Sequence, residues 1–168
     1  MVEIRAATVS DGIAIRSVHL AAFPTAAEAG LVDRLDRDGD AILSLVAEEG
    51  GSIVGHILFS RMQVVGDGKA IDALGLAPVA VVPDRQNQGI GAQLIETGLS
   101  AVRDGGTDLV FLVGEPAYYG RFGFRADAAA PFTSPYAGEY FQAKLLSDEG
   151  QVPAAGRADY APAFADLA

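Results

Sequence analysis

Alternating and periodic apolar positions divide the N-terminal part of the chain into a strand and two helices. Val2–Ala6 alternates between apolar and polar residues as a half-buried strand does. A capping-box pattern opens at Thr8 and precedes apolar residues at helical spacing, which predicts a helix to about Ala22. A second capping box at residues 25–28 predicts a shorter amphipathic helix that ends at residues 38–40.

Strand-like segments separated by short glycine-containing turns follow these helices. They cover residues 42–47, 53–65 and 70–82. Because such short connections suit antiparallel neighbours, we expect the segments to pair in sequence. Gly75 lies inside the last of them and predicts either a bulge or the close approach of other atoms to its backbone.

The second half of the chain begins with a helix and a short apolar strand. The helix is predicted over residues 89–103 and the strand over residues 108–113. A strand, helix and strand of this length predict a right-handed crossover between two parallel strands. Residues 126–138 are rich in alanine, proline and glycine and predict a loop, and residues 139–146 alternate as a last core strand. Beyond Ser147 we expect irregular structure packed on the surface.

Composition narrows the class of protein. The 168 residues suit one domain, which we expect to span residues 1–168 with residues 147–168 as a C-terminal extension packed on it. The chain has no cysteine, which excludes disulfides, a thiol nucleophile and a thiolate metal site. A net charge of −10 disfavours nucleic acid as a partner. The sequence shows neither a membrane-length apolar run nor a leader pattern, so we expect no membrane partner and a cytoplasmic location.

The most informative stretch covers residues 79–92, in which an apolar strand, a polar loop and a Gly-x-Gly motif lead into a helix. Unpaired backbone N–H groups and the positive end of the dipole make such a helix start an anion site. Gly91 is followed by Ala92, so the Gly-Lys-Ser/Thr ending of a nucleotide P-loop is missing. The sixth position counted from Gly89 is Leu94, which excludes the dinucleotide fingerprint.

Two motifs in this part of the chain resemble those of the GNAT superfamily of N-acetyltransferases. The first, at residues 86–91, reads Gln-Asn-Gln-Gly-Ile-Gly and resembles the pyrophosphate-binding segment of that superfamily. The second, at residues 119–124, has the form Tyr-x-x-x-Gly-Phe and follows the expected helix and strand. Within the superfamily, the second motif most resembles a group of small acetyltransferases typified by YhbS. The resemblance implies an α/β fold with a mixed sheet of six or seven strands and helices on both faces.

The resemblance also implies acetyl-CoA as co-substrate and direct transfer of the acetyl group to a primary amine in a ternary complex. It implies that Tyr119 donates a proton to the leaving thiolate, with the adjacent Tyr118 as the alternative. Backbone and side-chain contacts to the pyrophosphate and the pantetheine arm are assigned to Val79, Ala80, Val81, Arg85, Gln86, Asn87, Gln88, Gly89, Ile90, Gly91 and Ala92.

Several functional questions stay open at the level of sequence. The candidate bases that keep the amine neutral are Asp72, His56 and Glu115, and a water chain could replace any of them. No metal is implied. The alternatives are a non-catalytic acyl-CoA-binding module and transfer of a longer acyl group into a pocket near Phe111 or Phe124. The acceptor, whether small molecule or peptide, is not identified, and oligomeric state is open, a homodimer included.

Overall fold

The computed structural model describes residues 1–147 and 152–167, which form two compact units. The first unit contains Met1–Ser60, Ala77–Ser100 and the C-terminal residues from Pro162. The second contains Arg61–Leu76 and the described part of Ala101–Ala161. Two long strands contribute residues to both units.

The first unit is built from antiparallel strands and three helices. Strand β1 pairs with β2, with Val2 opposite Glu49, and β2 pairs with β3, with Glu49 opposite Ser52. The antiparallel pairing predicted from the short connection after β2 is therefore confirmed. The elements are β1 (Val2–Ala6), α1 (Gly12–Ala22), α2 (Ala27–Asp38), β2 (Ala41–Glu49), the first part of β3 (Ser52–Gly66), the last residues of β5 (Ala73–Val81) and most of α3 (Ile90–Asp104).

Helix starts in this unit follow the sequence in one case and not in the other. At the first, a 3-10 turn at Val9–Asp11 leads into α1, and Asp11 Oδ2 accepts from Thr8 N at 2.7 Å, so the carboxylate reaches back as the capping box predicts. The second predicted box is wrong. Helix α2 begins only at Ala27, and Thr25 Oγ1 accepts from Ala27 N at 3.3 Å instead of capping the helix.

The second unit has a mixed set of strands. Strand β5 pairs in parallel with β6, with Ala73 opposite Leu109, which confirms that the two predicted strands are parallel. Strand β6 then pairs antiparallel with β8, and β9 pairs with the end of β3 and with β7. The further elements are β4 (Lys69–Ile71), β6 (Leu109–Val113), α4 (Pro116–Tyr119), α5 (Ala126–Ala129), β7 (Phe132–Thr133), β8 (Phe141–Leu145) and β9 (Gly156–Tyr160).

Aromatic rings fill the core of the second unit. Phe111 packs edge-on against Phe132 at 5.1 Å between ring centroids and stacks on Phe141 at 5.4 Å. Gly75 lies beside this core, and a Cβ atom there would stand 2.6 Å from the Tyr160 ring. The close approach predicted at this glycine is therefore confirmed, and the approaching atoms belong to a side chain of β9.

Three boundaries differ from prediction. The single strand expected at residues 70–82 is two strands that break at Asp72, and the loop expected at residues 126–138 contains α5 and β7. The expectation of irregular structure beyond Ser147 is wrong for residues 156–160, which form β9, with Ala158 buried between two charged residues. Residues 148–151 lie outside the described residues. With β4, β7 and β9 the described chain has nine strands, more than the six or seven expected.

The mixed α/β class is as predicted, since parallel and antiparallel ladders occur together. Among the described residues, every helix is too short or too polar to cross a lipid bilayer.

Candidate active site

The loop after β5 turns into α3 through two residues with left-handed backbone. Asn87 has φ 63° and Gly89 has φ 85°. The first hydrogen bond of the helix joins Gln93 N to Gly89 O at 3.0 Å. The N–H groups of the residues between them therefore have no acceptor one turn earlier within the helix. A Cβ atom on Gly89 would meet nothing within 4 Å, so the described protein leaves open space at this point.

Helix α3 gives this start an electrostatic character. It runs for 15 residues, which makes its free N–H groups and dipole favourable to a negative charge. Ile90 is buried and anchors the first turn, whereas Gly91 and Ala92 are half-buried. Free N–H groups at the start of a helix are a common feature of anion sites, and the anion site itself stays a prediction.

The polar side chains of the loop mostly fold back onto the protein. Gln86 Nε2 donates to Val81 O at 2.9 Å, and Gln88 Nε2 donates to Asp84 O at 3.3 Å. Arg85 Nε donates to Glu49 Oε1 at 2.6 Å, and this ion pair raises the pKa of the guanidinium. Sequence reasoning missed Glu49 as a partner.

The end of β5 carries the residues assigned to the pantetheine arm. Ala80 is buried, whereas Val79 and Val81 are half-buried. Among the described strands, the parallel ladder of β5 with β6 extends only to Gly75. The later β5 residues therefore have no partner in that ladder, and unpaired strand backbone can bind an extended amide chain.

Tyr119 lies in the second unit, at the end of the short helix α4. Its ring lies against Gly114, where a Cβ atom would stand 2.4 Å from Tyr119 Cε2. Phe124 packs edge-on against the same ring at 6.2 Å between centroids. Burial, with a smaller contribution from Tyr118, raises the pKa of Tyr119 to about 12. The hydroxyl is thus protonated at neutral pH and can act as a donor.

Tyr118 has different surroundings. The Arg121 guanidinium lies 4.7 Å from the centre of its ring, which is a cation–π distance. Its ring also contacts Phe122 and stands edge-on to Tyr119, at centroid distances of 5.5 and 4.9 Å.

Two of the candidate bases also lie in the second unit and are exposed. Glu115 caps α4, and its Oε1 accepts from Ala117 N at 3.5 Å. Asp72 precedes the first residue of β5, whereas the anion loop follows the last one. The Asp72 carbonyl accepts from the N–H groups of Asp108 and Leu109.

His56, the third candidate base, is in the first unit and fully buried. Its Nδ1 contacts His19 Nε2 at 2.8 Å, and its Nε2 contacts Ser44 Oγ at 2.8 Å. Burial, with a smaller contribution from His19, lowers the pKa of His56 to about 3. Both His56 nitrogens are engaged and its pKa is low. The geometry therefore supports His56 least of the three candidate bases.

Within the described residues, no group of histidine and carboxylate side chains could hold a metal ion.

Comparison with known proteins identifies the family. A family model described as the acetyltransferase (GNAT) domain matches residues 3–126. The chain is 41% identical over 130 residues to the uncharacterized N-acetyltransferase YjhQ of Escherichia coli K12, covering 76% of this chain and 72% of YjhQ. It is 33% identical over 153 residues to the uncharacterized N-acetyltransferase YhbS of the same strain, covering 89% of this chain and 90% of YhbS. The chain therefore belongs to the GNAT family of N-acetyltransferases, an enzyme family.

Solved structures agree with this membership. YhbS from Escherichia coli, crystallised in complex with CoA, superposes with a TM-score of 0.86 at 31% identity, covering 98% of this chain and 92% of that one. A GNAT family acetyltransferase from Brucella melitensis, crystallised with acetyl-CoA, gives a TM-score of 0.79 at 36% identity, covering 98% of each chain. The family and the fold predicted from the two sequence motifs are confirmed.

Proposed function

We propose that this protein transfers the acetyl group of acetyl-CoA to a primary amine by direct attack in a ternary complex. The observation that carries the proposal is the open start of α3, where N–H groups without intrahelical acceptors follow Gly89. The complexes of two related proteins with CoA and acetyl-CoA support the same co-substrate.

The residues present fit this co-substrate. The backbone from Gln88 to Ala92 would hold the diphosphate, with Asn87 shaping the loop. Gln86 acts mainly by holding the loop, because its amide is bonded to Val81 O. The ion pair with Glu49 fixes Arg85 at its Nε, and its other N–H groups would contribute the phosphate contact.

The chemistry requires little beyond positioning. Acetyl-CoA supplies a thioester, and the amine nitrogen bonds to the acetyl carbon as the carbon–sulfur bond breaks and its electron pair leaves on sulfur. A backbone N–H among Val79, Ala80 and Val81 would stabilise charge that develops on the carbonyl oxygen, typically worth about 3 kcal/mol.

Tyr119 is the proposed donor to the leaving sulfur. A thiol has a pKa of about 8.5, well below the value of about 12 for this half-buried phenol. The phenol therefore stabilises the thiolate chiefly by donating a hydrogen bond, and the sulfur takes its proton from water as CoA leaves.

The attacking amine must give up a proton to a base, and of the three candidate bases we favour Glu115. It is exposed, it opens the helix that ends at Tyr119, and its side chain makes only a long cap contact of 3.5 Å. Asp72 and His56 remain the alternatives.

Transfer of a longer acyl group has less support. Phe111 and Phe124 are 0% and 2% exposed, so neither ring borders open space for an extended chain. Both rings pack against other aromatic side chains.

Substitution of Gly89 tests the proposal. Gly89→Asp would place a carboxylate roughly 5–6 Å from a diphosphate at the helix start, which costs about 1–3 kcal/mol and weakens binding about 5- to 150-fold. Gly89→Asn carries the same backbone strain without the charge. Gly68→Asp is the matched control, because Gly68 also has positive φ (80° against 85°) and open space.

Calorimetry with acetyl-CoA measures affinity, and thiol release over a panel of amines measures turnover. We expect affinity to fall in the order wild type, Gly89→Asn, Gly89→Asp, with Gly68→Asp like wild type. Wild-type affinity in Gly89→Asp would refute the anion site. Firm binding without transfer to any amine would favour the non-catalytic acyl-CoA-binding module.

A further inference from the structure

A buried glutamine holds the backbone beneath the Tyr119 ring. Gln142 on β8 is 1% exposed, and its Nε2 donates to Gly114 O at 2.9 Å and to Tyr140 O at 3.3 Å. Because both neighbours are carbonyl oxygens, the amide must present its NH2 group to them.

Gly114 is fixed on both sides of its Cα atom. Its N–H donates to Tyr140 O at 3.0 Å, while its carbonyl accepts from Gln142. The ladder between β6 and β8 ends one residue earlier, at Val113 opposite Phe141, so the Gly114 carbonyl lies beyond the last ladder pair. The Gln142 side chain therefore supplies the Gly114 carbonyl with the hydrogen-bond donor that no ladder pair provides.

The Tyr119 ring packs directly against Gly114. The ring lies so close that a Cβ atom on Gly114 would stand 2.4 and 2.8 Å from two of its carbons. Tyr119 N also donates to Glu115 O at 3.0 Å, so the chain from Gly114 to Tyr119 forms one short connected turn. A shift of Gly114 would carry the phenol with it.

We propose that Gln142 is a positioning residue, which holds the Tyr119 hydroxyl at its place of action through the Gly114 carbonyl. This inference rests on the role given to Tyr119 in the proposed function. An apolar residue would suit this doubly buried strand at least as well, since a buried amide is costly unless it is hydrogen-bonded. The amide therefore indicates that a donor is needed at this carbonyl.

Gln142→Met tests the inference, because it keeps the length of the side chain and removes both donors. Displacement of a catalytic group by about 1 Å can cost about a hundredfold, so we expect kcat to fall by about ten- to a hundredfold with the KM for acetyl-CoA unchanged. Gln142→Glu, whose carboxylate only accepts, serves as a second variant. Leu145→Ala controls for a weakened β8, and thermal melting checks that each variant is folded.

A double-mutant cycle shows whether the effect passes through Tyr119. In the Tyr119→Phe background, Gln142→Met should lower kcat no further. If the two substitutions lower kcat by factors that multiply in the double variant, or if Gln142→Met has wild-type kcat, the inference is overturned and the proposed function is unaffected. Wild-type kcat in Tyr119→Phe would instead remove the role of Tyr119, and the inference with it.

A spectroscopic readout covers the case in which no acceptor amine is found. At a pH between the ordinary tyrosine pKa of about 10 and the value of about 12 for Tyr119, tyrosinate absorbance should be higher in Gln142→Met than in wild type, because a displaced ring is less buried. The extra signal should be absent from Gln142→Met/Tyr119→Phe. Identical absorbance in Gln142→Met and wild type would contradict the inference without any assay of turnover.

Discussion

Acidification should destabilise this protein through two buried histidines before ordinary carboxylates are protonated. His19 and His56 are both 0% exposed and contact each other through ring nitrogens at 2.8 Å. At most one of the two rings can carry an added proton while this contact lasts, because two imidazolium rings would face each other with N–H groups. Unfolding releases both rings to water, where each takes up a proton freely.

The magnitude follows from linkage. Burial lowers the pKa of His19 to about 4 and that of His56 to about 3, against about 6.5 in the unfolded chain. The stabilisation is therefore complete above about pH 6.5 and is lost as the pH falls towards the folded values. At about pH 5 each unfolded ring gains about 2 kcal/mol by protonation, so the pair costs about 4 kcal/mol of stability. That is a large part of the 5–15 kcal/mol typical of a domain.

Neighbouring carboxylates modify this effect in known directions. Asp33 acts on His19 and raises its pKa, but burial outweighs it. Burial also raises the pKa of Asp36, so its folded form takes up a proton more readily and opposes the loss at low pH. The measurement is therefore best made above about pH 5, where most carboxylates remain ionised.

Urea unfolding at several pH values between about 8 and 5 measures the predicted slope. The chain has two histidines, so proton NMR follows both rings in the folded state without assignment by mutation. We expect neither ring to titrate in this range, while the free energy of unfolding falls by about 4 kcal/mol. A ring that titrates near pH 6.5 in the folded protein, or a loss below about 1 kcal/mol, would refute the reasoning.

Further predictions concern three single substitutions. A Cβ atom on Gly98 in α3 would stand 2.4 Å from the Phe59 ring, so Gly98→Ala should destabilise by about 1–3 kcal/mol despite better helix propensity. Gly30→Ala in α2, where a Cβ atom meets nothing within 4 Å, should instead stabilise the protein by about 0.5–1 kcal/mol. Urea unfolding of both variants measures these changes, and a change of the opposite sign in either variant would contradict the prediction. Tyr119→Phe should lower kcat about a hundredfold with little change in acetyl-CoA affinity, and full activity across the pH profile would disprove the donor role.

The elements that sequence predicted well are those whose signal is local. Helix α3 was expected over residues 89–103 and runs from Ile90 to Asp104, because its glycines and its apolar spacing lie within the segment itself. Strand β9 was missed for the opposite reason. Ala158 is buried between the charged residues Arg157 and Asp159, so the strand alternates, but small residues give too weak an apolar signal in a segment rich in alanine, glycine and proline.

The contacts that sequence could not reveal join residues far apart in the chain. Arg85 and Glu49 are 36 residues apart, and His19 and His56 are 37 apart. Gln142 is 28 residues from Gly114 and lies between Phe141 and Ala143, which are both buried as well. Because β8 is buried on both faces, alternation gives no sign that an amide points inward.

This difference explains why sequence motifs predict a coenzyme loop more fully than they predict the catalytic residues. An anion site made of backbone N–H groups needs only a glycine-rich turn and a helix start, and both are encoded within a few residues around Gly89. A side-chain donor, the role proposed for Tyr119, acts only where its hydroxyl is held, and we propose that its position depends on Gly114 and thus on Gln142. The motif at residues 119–124 therefore identifies the residue that could donate a hydrogen bond. In our proposal, the distant Gln142 amide determines whether the Tyr119 hydroxyl is held close enough to do so. Changes at Gln142 should consequently alter turnover in a chain whose two motifs are intact.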